Sequence, residues 1–342
     1  MTGEAAGQCE PGQCEPEQGE RPPAPLEHLA SPRTRAALRM QNCLIATARE
    51  VLAQEGVTEI RLPVIGPVTD PGARGSKQVD VDYYGRRYKL MTSAILYKQV
   101  VLTSFGAIYA IAPNVRLEPL ETAVTHRHLA EFHQIDVEVP DASRADVMAL
   151  ARRLLGAMVT ACLDRCAGEL AELGRDTGAL ALALGEFDEM RHADAVAALT
   201  ESGHDQDPGA EIDWRGEELL SGWAKRPFFV TDYPKGSRGF YDRESRTQPG
   251  VLRNFDLLAP EGYGELASGS ERESDYGRIV TRIRETGENP AKYGWYLDAV
   301  RAGVPRSAGF GIGLERLTRY VAGLDAVWQA TAFPKVPGVF AP

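Results

Sequence analysis

The sequence predicts an α+β fold built around an antiparallel sheet. Three observations carry that prediction. Short runs with period-two alternation, at 107–115 and 131–139, are joined through polar loops. Long helical stripes, at 31–55 and 143–173, are segregated between the strand runs instead of alternating with each of them. A late run, 307–313, places Gly309, Gly311 and Gly313 at every second position and leads straight into helical spacing from Leu314. Such a run reads as a strand that something approaches closely.

The elements follow in order. Residues 1–30 form a low-complexity tail in which Gln-Cys-Glu-Pro occurs at 8–11 and again at 13–16. Its composition cannot bury a core, so disorder is expected there. Residues 31–342 form one domain. Ser31-Pro32 offers an N-cap followed by proline at the first helical position. Leu38, Cys43, Leu44, Ala48, Val51 and Leu52 share a stripe, and Gly56 ends the helix. A strand is predicted over 58–64, two strands around Tyr84-Gly85-Arg86 over 79–90, and a helix over 93–103. After the strands 107–115 and 131–139 comes one long helix, 143–173, with Ser143 as N-cap. Helical patches at 186–199 and 213–224 surround a Gly/Asp/Pro loop. Strands follow at 228–231, 251–258 and 263–268, then helices at 271–285 and 291–302, before the closing strand and helix.

Composition narrows the function classes. The chain has 342 residues and a net charge of −10, from 38 Lys+Arg against 48 Asp+Glu. That removes the basic field that usually drives nucleic-acid binding. No long apolar run calls for a membrane span, and the N-terminus lacks a basic-then-apolar signal. Five cysteines without a secretion signal point to reduced thiols and a cytoplasmic location. Cys162 and Cys166, one helical turn apart, read as small buried residues.

Two clusters carry chemistry. Arg316 follows the glycine strand in the first turn of a helix, beside backbone N–H groups that favour a polyphosphate. Asn114-Val115-Arg116-Leu117-Glu118 and Arg127-His128-Leu129-Ala130-Glu131-Phe132 flank a polar loop. Arg116 and Glu118 share one strand face, and Phe132, Gln134 and Asp136 share another.

These segments resemble the second and third motifs of class II aminoacyl-tRNA synthetase catalytic domains. The helix end and strand from Glu55 to Pro63 resemble the first. The resemblance implies a mostly antiparallel six-stranded sheet, dimerisation through the first motif, ATP and magnesium as cofactors, and formation of an acyl adenylate. It implies that Arg116 bridges the α-phosphate and the reacting carboxylate. Glu118 would read the adenine amino group, Phe132 would stack on the ring, and Arg316 would cover its other face. Arg127 and His128 would meet the outer phosphates. Asp256 and Glu265 match the metal-binding carboxylates.

The substrate pocket resembles that of aspartyl-tRNA synthetases. Glu265, Ser268, Gly269 and Arg272 form Glu-x-x-Ser-Gly-x-x-Arg, and Arg272 with Lys98 matches a cation pair that grips a carboxylate. Asp136 matches an ammonium partner. Ile95 departs, standing where those enzymes place a glutamine that contacts the ammonium. The span from about Ser31 onward closely resembles archaeal-type asparagine synthetases related to asparaginyl-tRNA synthetase. That implies an AMP-forming aspartate–ammonia ligase working through a β-aspartyl adenylate, with tRNA not a substrate. A specialised amide or hydrazide ligase and a truncated aspartyl- or asparaginyl-tRNA synthetase are the rivals. Glu118, Glu131, Asp136 and Glu265 all remain open as the group that captures ammonia.

Overall fold

The structure is a computed structural model that describes residues 21–71 and 76–339. The expected disordered tail falls mostly on residues 1–20, outside the described residues. Its last part is not tail. Pro25–Ala30 forms a short helix, α1, and places His28 in a buried position bonded to the Thr331 carbonyl at 2.8 Å. Helix α2 (Pro32–Gln54) starts behind Ser31, as the Ser-Pro pair predicts, and buries Met40, Leu44, Ala48 and Leu52.

Strand β1 is only Thr58–Glu59, and β2 is Ile65–Gly66. The strand predicted over 58–64 therefore breaks after two residues. Its pairing to the sheet is a short parallel contact, Thr58 and Glu59 beside Ile108 and Tyr109. The hairpin β3 (Asp80–Tyr83) and β4 (Arg86–Leu90) joins β2 in a small separate sheet ordered β2-β4-β3. Its turn uses the left-handed region at Tyr84 and Gly85, φ 52° and 79°. Next come α3 (Ile95–Val101), β5 (Ile108–Val115) and β6 (Glu131–Pro140).

The helix predicted over 143–173 is two helices, α4 (Arg144–Arg165) and α5 (Ala167–Leu173). Cys166 leaves the helical region at φ −121° and breaks the run. Ser143 does cap α4, in a reciprocal box with Asp146. A further short helix, α6 (Thr177–Ala181), is capped by Asp176. The patch read as helix over 186–199 opens as an edge strand, β7 (Asp188–Arg191), before α7 (His192–Glu201) begins. Its charged residues hide the strand from any apolar pattern while protecting an open edge. Helix α8 (Trp214–Trp223), β8 (Phe228–Thr231), β9 (Asn254–Ala259) and β10 (Gly264–Glu271) follow. Glu271 ends the strand opposite Ala308, so α9 (Tyr276–Glu285) starts later than its pattern predicts. Then come α10 (Gly294–Gly303), β11 (Ser307–Gly313) and α11 (Leu314–Ala322).

The main sheet has eight strands, not six, in the order β1-β5-β6-β11-β10-β9-β8-β7. The six central strands are antiparallel. Parallel pairing adds β1 at one edge and β7 at the other. Period-two alternation splits this sheet into two faces. Ile135, Val137, Ala308, Phe310 and Ile312 face the core behind, where Met40, Leu44, Leu154, Met158, Leu317 and Tyr320 close over them. The other face carries Gln134, Asp136 and Glu138 of β6. Smaller clusters around Phe240 with α3, α9 and α10, and around Val230 with α7 and α8, hold up the rest of the molecule.

Candidate active site

A cleft of about 380 Å³ opens on the polar face of the sheet. It brings together Lys98, Arg116, Glu118, Arg127, His128, Asp136, Glu265, Ser268, Arg272 and Arg316. An adjoining lobe shares Arg116, Glu118 and Arg316 and adds Phe132. Of the site residues singled out from the sequence, Asp256 and Glu131 line neither space, which leaves Glu131 outside the cleft as a group to capture ammonia.

The glycine strand explains how the polar side chains fit. Gly309, Gly311 and Gly313 pair with Glu138, Asp136 and Gln134 across the β6–β11 seam. A Cβ on Gly309 would lie 2.2 Å from the Glu138 carboxylate and 2.3 Å from the Val137 carbonyl. One on Gly311 would lie 2.8 Å from Asp136 Oδ1. The close approach read from the sequence is therefore made by the neighbouring strand's carboxylates, which lean over β11.

In the lobe, the Arg116 guanidinium sits 5.1 Å from the centre of the Phe132 ring and donates from Nε to the Thr92 carbonyl at 3.1 Å. Arg316 donates to the Arg127 carbonyl at 3.3 Å and faces Glu265 Oε1 at 3.5 Å. Arg127 is buried and ion-paired with Glu217, and it also donates to the Trp214 carbonyl at 3.2 Å. Thus α8, to which no role was assigned from the sequence, anchors one wall. His128 Nδ1 lies 2.6 Å from Thr125 Oγ1, whose hydroxyl donates to the Thr122 carbonyl at 2.8 Å. Nδ1 therefore carries the proton, and Nε2 remains an acceptor. Burial, with the Arg316 and Arg127 charges beside it, pushes the imidazole down to about 3.

The deeper end is a buried ion network. Lys98 Nζ donates to Asp136 Oδ1 at 2.6 Å and lies 4.0 Å from Glu138 Oε2. Arg272 grips Glu138 with two bonds, Nε at 3.0 Å and Nη2 at 3.2 Å. Its Nη1 reaches Ser270 Oγ at 2.6 Å and Asp242 at 3.2 Å. Glu138 is fully buried. The Arg272 and Lys98 cations are thus met by protein carboxylates, where the sequence led us to expect a ligand carboxylate. Asp136 Oδ2 is buried with no hydrogen-bond partner among the described residues. That orphaned acceptor, in the cleft wall, suits an ammonium group. Ile95 lines the same cleft.

Sequence reasoning missed three residues here. Glu138 was legible, two positions after Asp136 on the same strand face. Asp242 and Arg238 come from a loop without periodicity. Arg238 joins Glu211 at 2.6 Å, Asp256 at 2.5 Å and Ser268 Oγ at 2.9 Å, and stacks on Tyr233.

The carboxylates fit a magnesium ion only in part. Glu265 faces the cleft and can offer an oxygen to an ion shared with phosphates. Asp256 is 1% exposed: it stands beside Ser268 on the cleft-side face of the sheet, but Arg238 covers and neutralises it.

Comparisons with known proteins agree on one family. The family described as "tRNA synthetases class II (D, K and N)" matches residues 23–337. The asparagine–tRNA ligase of Thermococcus kodakarensis is 35% identical over 312 residues, covering 91% of this chain and 71% of the relative. That of Thermococcus gammatolerans is 33% identical over 310 residues, with the same coverage of both chains. Among solved structures, asparaginyl-tRNA synthetase from Pyrococcus horikoshii complexed with asparaginyl-adenylate superposes with a TM-score of 0.88 at 31% identity. The match spans 93% of this chain and 72% of that one.

Proposed function

The chain belongs to the class II tRNA synthetases of the D, K and N group, and from that membership we propose an AMP-forming, ATP-dependent ligase that adenylates aspartate and passes it to an amine. Ammonia is the simplest such amine, and asparagine the product. The observation that carries the reading is the union, in one cleft, of the Arg116–Phe132–Arg316 lobe with the Lys98–Asp136–Arg272 network. The lobe supplies what a bent triphosphate and an adenine need: two guanidinium groups, an aromatic face and the Glu118 carboxylate. His128, held neutral, offers an acceptor at Nε2 and adds no charge among the phosphates. Magnesium, when bound, would neutralise phosphate charge, and Glu265 is the residue that fits it.

In the deep pocket, Asp136 Oδ2 would take the substrate ammonium. Lys98 and Arg272 would hold the α-carboxylate, sharing donors with the carboxylates that now occupy them. The β-carboxylate would then face Arg116, which is the orientation that yields a β-aspartyl adenylate. The apolar Ile95 wall supports a displaced ammonium. A homodimer built through residues 55–63 belongs to the same proposal, and light scattering tests it.

A second reading, an aspartyl- or asparaginyl-tRNA synthetase, is favoured by the relatives, which are asparagine–tRNA ligases. One experiment separates the two. The protein is incubated with ATP, aspartate and hydroxylamine, and the hydroxamate is identified by chromatography. The β-hydroxamate with AMP and pyrophosphate is expected. The α-hydroxamate would support the tRNA-charging orientation, and ADP as product would overturn the adenylation chemistry itself.

A further inference from the structure

Three of the five cysteines meet behind the sheet, where α2 packs on α4 and α5. The sulfurs of Cys43, Cys162 and Cys166 all lie within 4.8 Å of one another. Cys162 and Cys166 are buried, Cys43 is half-buried, and all three are free thiols. Among the described residues this is the only group of three or more metal-type side chains at such spacing, and no histidine or carboxylate shares it. Read along the chain, Cys162 and Cys166 are merely two small residues one turn apart. The fold adds Cys43 from more than a hundred residues away and completes a three-sulfur set. We propose that this cluster binds one soft, thiophilic metal cation of the zinc or copper(I) class.

The donor set decides the class. Magnesium and calcium take oxygen ligands, whereas sulfur donors select copper(I) and zinc. Metal–sulfur bonds of about 2.3 Å bring sulfurs to just under about 4 Å apart, a small side-chain adjustment from the observed spacing. Each thiol would give its proton to solvent and a sulfur lone pair to the ion. A divalent ion therefore releases three protons and leaves the site with one negative charge. Burial pushes the Cys162 thiol up, and it pushes Cys166 up to about 11 with Glu169 acting in the same sense. Metal ligation by thiols displaces protons, so binding strengthens as pH rises. Cys162 lies in the last turn of α4, and Cys166 caps it, where the carbonyl ends favour positive charge.

The test uses the full, reduced chain in a Cys9→Ser/Cys14→Ser background, since those two thiols lie outside the described residues and could bind metal independently. It is titrated anaerobically with cobalt(II), an optical stand-in for zinc, and with copper(I). One equivalent of at least one ion should bind, with sulfur-to-metal charge-transfer absorption and proton release. Cys43→Ser should weaken that binding roughly tenfold or more, with an unchanged circular dichroism spectrum. Absence of the charge-transfer band in both titrations overturns the proposal. Equal binding by Cys43→Ser also overturns it. So does recovery of a Cys43 disulfide from aerobic protein whose reduced form binds neither ion, which would assign the cluster to oxidation.

Discussion

At the scale of single residues, the cleft is made of charges whose partners are already in place. Arg116 and Arg316 are the cations aimed at the lobe. Removing one fixed donor to developing phosphate charge costs about 10² to 10³ in rate. Arg116→Ala and Arg316→Ala should each lose that much pyrophosphate exchange while staying folded. Near-wild-type exchange in either variant would show that the phosphate site lies elsewhere. His128 gives a stability signature. Its folded value, about 3, lies below the ordinary 6.5, so the unfolded chain takes up the proton first as pH falls. The stability tied to neutral His128 is whole above the ordinary value and is lost on descent toward the folded one. Wild type should therefore lose up to about 1.4 kcal/mol more per pH unit than His128→Asn below about pH 6. Urea midpoints across that range measure it, and parallel curves would show that the imidazole is not held neutral. Glu138 links the two buried cations. Glu138→Ala leaves Arg272 without its bidentate partner, and a loss of about 3–5 kcal/mol is expected by denaturant titration.

At the scale of elements, the β6–β11 seam joins sequence to chemistry. Gly309→Ala puts a methyl group against the Val137 carbonyl and the Glu138 carboxylate. It should cost about 1–3 kcal/mol in stability and weaken aspartate binding together, since the displaced carboxylate is the one holding Arg272. Intact binding in a destabilised Gly309→Ala protein would mean that the network tolerates the shift. This seam was half-legible. The alternating glycines announced a close approach, and the β6 alternation placed Gln134, Asp136 and Glu138 on one face. Nothing in either pattern says which strands lie side by side, so the glycines announced a close approach without naming what approaches. The caps at Ser31 and Ser143 were readable because capping is local chemistry. The break at Cys166 was not, since Cys162, Cys166 and Leu170 keep the apolar stripe running through it. Strand β7 escaped because an edge strand has no buried face to pattern. Arg238 and Asp242 escaped because loop residues gain meaning only from the strands they are folded against.

At the scale of the whole molecule, the net charge of −10 opposes a polyanionic partner, while the relatives charge tRNA. The two indications conflict, and they are separable. Purified protein with total tRNA, ATP and labelled aspartate or asparagine should give no acid-precipitable label, whereas aspartate with ammonium should release AMP. Stoichiometric charging would establish the synthetase reading. No helix among the described residues is long and apolar enough to cross a membrane. The strand order also bears on synthesis. Strand β11, late in the chain, sits at the middle of the sheet, between β6 and β10. Until residues 307–313 leave the ribosome, the β5–β6 pair and the β8–β9–β10 meander are two half-sheets with bare inner edges. Each edge is an open template for pairing with another nascent chain. The molecule therefore closes like a keystone arch, and its time of greatest exposure on the ribosome falls just before that strand emerges.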